Sequence, residues 1–227
     1  MIRTIIFDLD NTLIDFWKFK TKSVDAAINA MIKAGLKMKK GDAMKIIHNL
    51  YRRYGMEYKY LFQELLKKSK GRVDYRILSH ALVAYRKTRG NLLVSYKGVK
   101  PTLRKLKKQG YKLAIISDAP KLKAWIRLVS MGIDEFFDAV ITFDDTGKRK
   151  PNNLPFRKTL EKMRIKPHEA LMVGDSIKRD MIGAKAMGIK TVFAKYGYIG
   201  KPRSRIKEAD FEIERIEDLF KVLGRLK

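Results

Sequence analysis

Ile2-Arg3-Thr4-Ile5-Ile6-Phe7-Asp8-Leu9-Asp10-Asn11-Thr12-Leu13 is the stretch that decides the fold. The apolar, β-branched run Ile2–Phe7 predicts a buried strand. Two carboxylates, Asp8 and Asp10, stand where that strand ends. Like charges this close repel, so the strand should not end this way without a cation or another use for the charge. In an open α/β sheet, ligands bind just beyond the carboxyl ends of the strands. Residues 8–13 are therefore a candidate site for Mg²⁺ and phosphate.

Outward from this stretch, strand-like runs recur at Lys112–Ser117, Ala139–Phe143, Ala170–Gly174 and Thr191–Ala194, with Phe211–Ile213 as a short edge strand. Helical patterns at Val99–Gln109, Lys121–Met131, Leu154–Met163, Ile177–Met187 and Ile216–Leu226 fall between or after them. Such alternation predicts βαβ units and a doubly wound, Rossmann-like parallel sheet. Gly110, Gly132 and Gly188 stand where helix C-caps are expected. One long interval breaks the pattern. From Asp15 to Val94 there is no strand signal, and Val24, Ala27, Ile28, Met31 and Ile32 recur at a helical period. Helices are predicted at Trp17–Ala34, Asp42–Tyr54, Glu57–Lys68 and Asp74–Arg86, separated by Gly35, Gly41, Gly55 and Gly71. The expected organisation is a catalytic core of residues 1–14 and 95–227 with an all-helical insert, 15–94. An insert beside the carboxylate pair suits a lid that excludes water.

Composition narrows the classes. The 45% hydrophobic content of the 227 residues argues for a globular chain and against disorder. No apolar run approaches the roughly 18 residues of a membrane span. The strand starts without an apolar leader, so a cytoplasmic protein is expected. With no cysteine, thiolate chemistry and disulfides are excluded. His48, His80 and His168 show no ligand spacing. The net charge of +27 is spread along the chain, although residues 14–95 are densest, with 19 Lys/Arg against 6 Asp/Glu. Steering of anionic small substrates and a Lys-rich thermophile surface account for it best, with nucleic-acid binding at most nonspecific.

Later strand ends also carry polar groups. Lys112–Ile116 runs into Ser117-Asp118, and Ala170–Val173 runs into Gly174-Asp175-Ser176, with Asp180 beyond. The third strand is followed by Lys148-Arg149-Lys150-Pro151. Asp8, Asp10 and Asp175 could supply a Mg²⁺ shell. Lys150 could balance a phosphate, and Thr12 and Ser117 are small hydroxyl donors. Each residue alone is weak evidence, because Asp-X-Asp and Gly-Asp-Ser also occur in ordinary turns and caps. The ordered set, each member behind its own strand, carries far more weight.

That ordered set resembles the haloacid dehalogenase-like superfamily of hydrolases, in its phosphatase branch with a type-1 helical cap. Asp8-Leu9-Asp10-Asn11-Thr12 is similar to the first motif and Ser117 to the second, with Asp118 in the variable place after it. Lys150-Pro151 with Phe156 is similar to the third motif, although Asn152-Asn153 replaces the usual Asp-Pro. Gly174-Asp175-Ser176 with Asp180 and Gly183-Ala184 is similar to the fourth. The resemblance implies that Asp8 attacks phosphorus and forms an aspartyl-phosphate. It implies that Asp10 protonates the leaving alkoxide and then deprotonates water. Mg²⁺ would be held by Asp8, the backbone carbonyl of Asp10, Asp175 and Asp180. Thr12, Ser117, Asp118 and Lys150 would hold the phosphoryl group. The implied substrates are phosphoglycolate, sugar phosphates or triose phosphates such as glyceraldehyde 3-phosphate. Asp10 argues against a 2-haloacid dehalogenase, the branch that lacks it. A basic binding protein with vestigial activity is the alternative from another class. Phe16, Trp17, Lys20, Arg52, Arg53 and Tyr58 are the insert's candidates for substrate selection, and monomer and homodimer both remain open.

Overall fold

A computed structural model describes residues 1–200 and 206–226. Six strands form one fully parallel sheet in the order β3-β2-β1-β4-β5-β6. They are β1 (Thr4–Phe7), β2 (Lys112–Ile116), β3 (Ala139–Ile141), β4 (Ala170–Gly174), β5 (Lys190–Ala194) and β6 (Phe211–Ile213). The first strand lies at the centre, flanked by β2 and β4, so the winding direction reverses there. At such a switch point the loops leaving adjacent strands part and open a crevice.

Helices cover both faces of a parallel sheet, and its strands are therefore apolar throughout rather than alternating. All four residues of β1 and all five of β4 are buried. Successive side chains still point to opposite faces. On one face Ile6, Ala114, Ile116 and Met172 pack with Phe156, Leu160, Ala184 and Ile189.

The described chain divides into two compact units, Met1–Phe16 with Val94–Lys227, and Trp17–Leu93. The second holds α1 (Phe16–Lys33, less its first residue), α2 (Lys40–Tyr54), α3 (Leu61–Lys70) and α4 (Tyr75–Leu92). Its core is its own: Val24, Ala27, Ile28 and Met31 of α1 meet Ile47, Leu65, Leu66 and Ile77. Asp74 caps α4 by accepting from the Ile77 N–H at 3.1 Å. Gly41, expected to separate helices, lies inside the first turn of α2, where the first N–H groups have no intrahelical acceptor and glycine's freedom costs little. Within the first unit, Ile14 and Ser95 pair across an antiparallel bridge, and the Tyr96 N–H donates to the Leu13 carbonyl at 3.0 Å. The chain thus leaves and re-enters the α/β unit at neighbouring points.

The α/β unit carries α5 (Val99–Lys108), α6 (Lys121–Met131), α7 (Phe143–Thr146) and α8 (Asn153–Met163). The helix expected from Glu57 starts only at Leu61, and the one expected from Ile216 opens as a 3₁₀ turn, Ile216–Asp218, and ends at Gly224; two further differences have a local cause. Strand β3 ends at Ile141 because Thr142 starts a helix instead, with its N–H and hydroxyl both donating to Asp145 at 2.9 and 2.6 Å. The helix expected over Ile177–Met187 begins as a π-helical segment, Ile177–Ile182, followed by Gly183–Lys185. There the Ser176 carbonyl accepts from both Asp180 and Met181, while the Asp180 side chain accepts from the Ser176 N–H at 2.9 Å. Widened turns of this kind concentrate at functional sites.

Candidate active site

The ends of β1, β2 and β4 bring the polar groups together. Phe7 is in register with Ile115 and Val173, so Asp8 emerges between the ends of its two neighbours. The Asp8 N–H still donates to the Val173 carbonyl at 2.9 Å, which ties the carboxylate's backbone to the sheet. The chain then turns within five residues. Leu13 and Ile14 both donate to the Leu9 carbonyl, and Asn11 adopts φ 64°, the left-handed region that asparagine tolerates better than most residues.

Lys150 is the hub. It is buried, and its Nζ lies 2.5 Å from Asp8 Oδ1, 2.7 Å from Asp180 Oδ1 and 2.9 Å from the Ile116 carbonyl. Burial works against its charge, but Asp180, Asp8 and Asp118 outweigh that and hold its pKa above the usual lysine range. The backbone around it is fixed as well. The Lys150 N–H donates to Asp118 Oδ1 at 2.9 Å, and Asn152 caps α8 by accepting from Leu154 at 3.0 Å. That cap gives Asn152 a function in a turn where the sequence departs from the usual motif. Phe156, one turn into α8, is fully buried, and a Cβ on Gly183 would approach its ring to 2.7 Å. The third and fourth motif segments are thereby packed against each other.

Asp8, Asp175 and Asp180 are all buried, and each offers an oxygen within 4.8 Å of the others'. Burial raises the pKa of Asp175, and Asp8 and Asp180 raise it further. Burial likewise raises Asp180, against the opposing pull of Lys150. A cation among these oxygens would relieve both. An all-carboxylate donor set fits a hard divalent ion rather than a soft one. The Thr12 hydroxyl, fully buried, lies 3.5 Å from Asp8 Oδ2 and 3.4 Å from Asp175 Oδ1, longer than an ordinary hydroxyl hydrogen bond. Ser117 is buried too, its Oγ accepting from the Ala119 N–H at 3.2 Å. Asp118 joins the Lys150 backbone to Arg179, whose Nη1 lies 3.4 Å away.

Asp10 takes a different course. Its Oδ2 forms an ion pair with Arg127 Nη1 at 2.8 Å. Arg127 comes from α6, and its guanidinium also lies 4.7 Å from the centre of the Phe16 ring. Neither Arg127 nor Arg179 was singled out by the motifs. Arg127 lies on the buried stripe of α6 with Ala124, Leu128 and Met131, a face that the hydrophobic pattern of the helix does not mark as its core side. Of the residues proposed for the insert, Lys20 is buried between the Tyr51 and Tyr85 rings, 5.6 and 5.7 Å from their centres. Tyr58 stacks on Tyr54 at 4.5 Å, while Phe16 is buried in the α/β unit.

The model of the family described as haloacid dehalogenase-like hydrolase matches residues 5–194. A glyceraldehyde 3-phosphate phosphatase from Pyrococcus furiosus is 35% identical over 99% of this chain and 94% of its own length. The pyrophosphatase PpaX of Bacillus cereus is 30% identical over 99% of this chain and 98% of its own. Among solved structures, a HAD phosphatase from Thermococcus onnurineus superposes with a TM-score of 0.72 at 27% identity, covering 98% of each chain.

Proposed function

The chain belongs to the haloacid dehalogenase-like hydrolase family and is a phosphatase of small phosphorylated metabolites, and on that premise we propose that Asp8 is the nucleophile of a Mg²⁺-assisted phosphoryl transfer from glyceraldehyde 3-phosphate. The observation that carries the reading is the setting of Asp8: at the tip of the central strand, against Lys150 at 2.5 Å, and beside Asp175 and Asp180.

Asp8 attacks phosphorus, the ester P–O bond breaks, and Asp10 delivers a proton to the departing alkoxide. Water then attacks the aspartyl-phosphate, Asp10 takes a proton from it, and inorganic phosphate leaves with Asp8 restored. Dividing the displacement in this way replaces one difficult step with two easier ones. Lys150, with Thr12 and Ser117 close by, holds the phosphoryl oxygens. Asp8, Asp175 and Asp180, with the backbone carbonyl of Asp10, would hold Mg²⁺, which supplies charge neutralisation for the phosphoryl group when bound. Asp118 and Arg179 hold the Lys150 segment in place. The helical unit Trp17–Leu93 selects the substrate, as an insertion that begins a few residues after Asp10.

The name of the Pyrococcus relative supports glyceraldehyde 3-phosphate as the substrate, and that of the Bacillus relative makes pyrophosphate the competing reading. A panel of phosphorylated metabolites with Mg²⁺, run on wild type and Asp8→Asn, decides between them. Glyceraldehyde 3-phosphate should have the highest kcat/KM, and Asp8→Asn should abolish turnover. Preferential cleavage of pyrophosphate overturns the substrate, and a turning-over Asp8→Asn overturns the nucleophile.

A further inference from the structure

Asp10 and Arg127 stand 117 positions apart in the sequence, yet they meet in an ion pair. The Arg127 side chain is 3% exposed and that of Asp10 22%. Position 127 lies on the core-facing stripe of α6, with Ala124, Leu128 and Met131. An aliphatic residue would fill that position without the cost of burying a guanidinium. Two contacts instead orient the charge. The Phe16 ring lies with its centre 4.7 Å from the guanidinium carbon, and Nη1 reaches Asp10 Oδ2 at 2.8 Å. The backbone of Asp10 is separately pinned by its parallel bridge to Ile14. Once the backbone is fixed, two side-chain torsions determine where the carboxyl points, and the ion pair acts on both.

We propose that Arg127 is the positioning residue of the acid/base Asp10, setting the direction from which its carboxyl meets the leaving-group oxygen. This rests on the proposed acid/base role of Asp10. The Phe16–Arg127–Asp10 chain of contacts makes the orientation a property of the α/β unit itself. A misplacement of about 1 Å in a catalytic group can cost on the order of 10²-fold in rate, so the cost of losing this pair belongs to the proton-transfer step and not to phosphate binding.

Leaving groups separate that role from a structural one. An alkyl phosphate needs a proton on its departing oxygen, whereas p-nitrophenyl phosphate departs as a stable phenolate. Leaving-group release is measured in single turnovers, with enzyme in excess and saturating Mg²⁺, for wild type, Arg127→Met, Arg127→Lys and Asp10→Asn. Arg127→Met should slow release from glyceraldehyde 3-phosphate by about 10- to 100-fold and from the aryl ester by less than about threefold. Its KM should stay within about threefold of wild type, and Arg127→Lys, which keeps the charge but not the planar fork, should fall between. Equal losses on both esters, or no loss on the alkyl ester, overturn the proposal. If Arg127→Met does not fold, the same comparison on Arg127→Lys decides. Asp10→Asn is the control for the underlying reading. If it shows the alkyl-selective loss and the Arg127 variants do not, Arg127 alone is misassigned. If Asp10→Asn shows no selectivity, the acid/base role has failed.

Discussion

Replacing Lys150 with methionine should weaken the fold, tighten metal binding and abolish turnover at once. Methionine keeps most of the stem's volume and removes only the charge. In the native site that charge lies 2.5 Å from Asp8 and 2.7 Å from Asp180. At an effective dielectric constant of about 20, each contact is worth roughly 6 kcal/mol of Coulomb energy before desolvation. Losing the lysine also removes its own desolvation cost, which offsets much of that sum. What remains is two buried carboxylates without their cation, a situation that costs about 3–5 kcal/mol. Protons can replace the cation, so the loss should be largest near pH 8 in EDTA and smaller near pH 5. A divalent ion held by the acidic cluster would share Asp8 and Asp180 with Lys150, so the variant should bind Mg²⁺ more tightly than wild type. Urea denaturation at the two pH values and calorimetric Mg²⁺ titration measure both effects. A variant as stable as wild type at pH 8, or one with weaker Mg²⁺ binding, would refute this account of the charge balance.

Gly197 follows β5 where the chain passes over the first motif; a Cβ there would lie 1.6 Å from the Asn11 carbonyl oxygen and 3.2 Å from Asp175 Cβ. Gly197→Ala should therefore cost about 3 kcal/mol and most of the activity, whereas Gly90→Ala, with open space in exposed α4, should gain about 0.5–1 kcal/mol; thermal melts and kcat compare the two. The Asp175 pKa is pushed up by burial and its acidic neighbours to about 8, from 3.8. A group raised on folding contributes its full stability below the unfolded value and loses it as pH climbs through the folded one. Melting temperatures in EDTA should therefore fall between about pH 4 and pH 8, and Mg²⁺ should restore them at the upper end; a flat profile counts against the buried acidic cluster. The net charge of +27 should draw in a phosphate dianion, so kcat/KM should drop several-fold from low salt to about 0.5 M at fixed Mg²⁺ while kcat holds.

The sheet was legible because each parallel strand is a short run of buried apolar residues ended by a polar group, and Lys112–Ile116 and Ala170–Gly174 are found as strands. Asp8 and Asp175 were legible from their places directly behind core strands taken together, whereas Asp180, inside the following helical segment, was reached through the family resemblance. Arg127 was not, because α6 carries two stripes. The more apolar one, Leu122, Trp125, Ile126 and Val129, looks like the core face, yet Leu122 is 71% exposed and Val129 59%. The less apolar stripe, with an arginine in it, is the buried one. Periodicity ranks faces by hydrophobicity alone, so a face chosen to carry a buried charge is ranked wrongly. The π-helical turn after Ser176 was hidden in another way. Its sequence reads as an ordinary helix, and only the Asp180 carboxylate accepting the Ser176 N–H shows why the first turn is widened.

Charge balance then explains why these partners stand where they do. Asp8, Asp118, Asp175 and Asp180 face Lys150 and Arg179, which leaves two negative charges if all are ionised. Burial and mutual repulsion already oppose that ionisation at Asp175 and Asp180. A divalent ion would bring the set to neutrality, and only then does a phosphate dianion meet no net repulsion. Arg127 is paired with Asp10 instead, Nη1 to Oδ2 at 2.8 Å. The two aspartates of the first motif, two residues apart, are thus given separate cations: Asp8 shares a lysine with the acidic cluster, and Asp10 has an arginine of its own. That separation places the proposed nucleophile inside the acidic cluster that Lys150 balances and the proposed acid/base on a different cation.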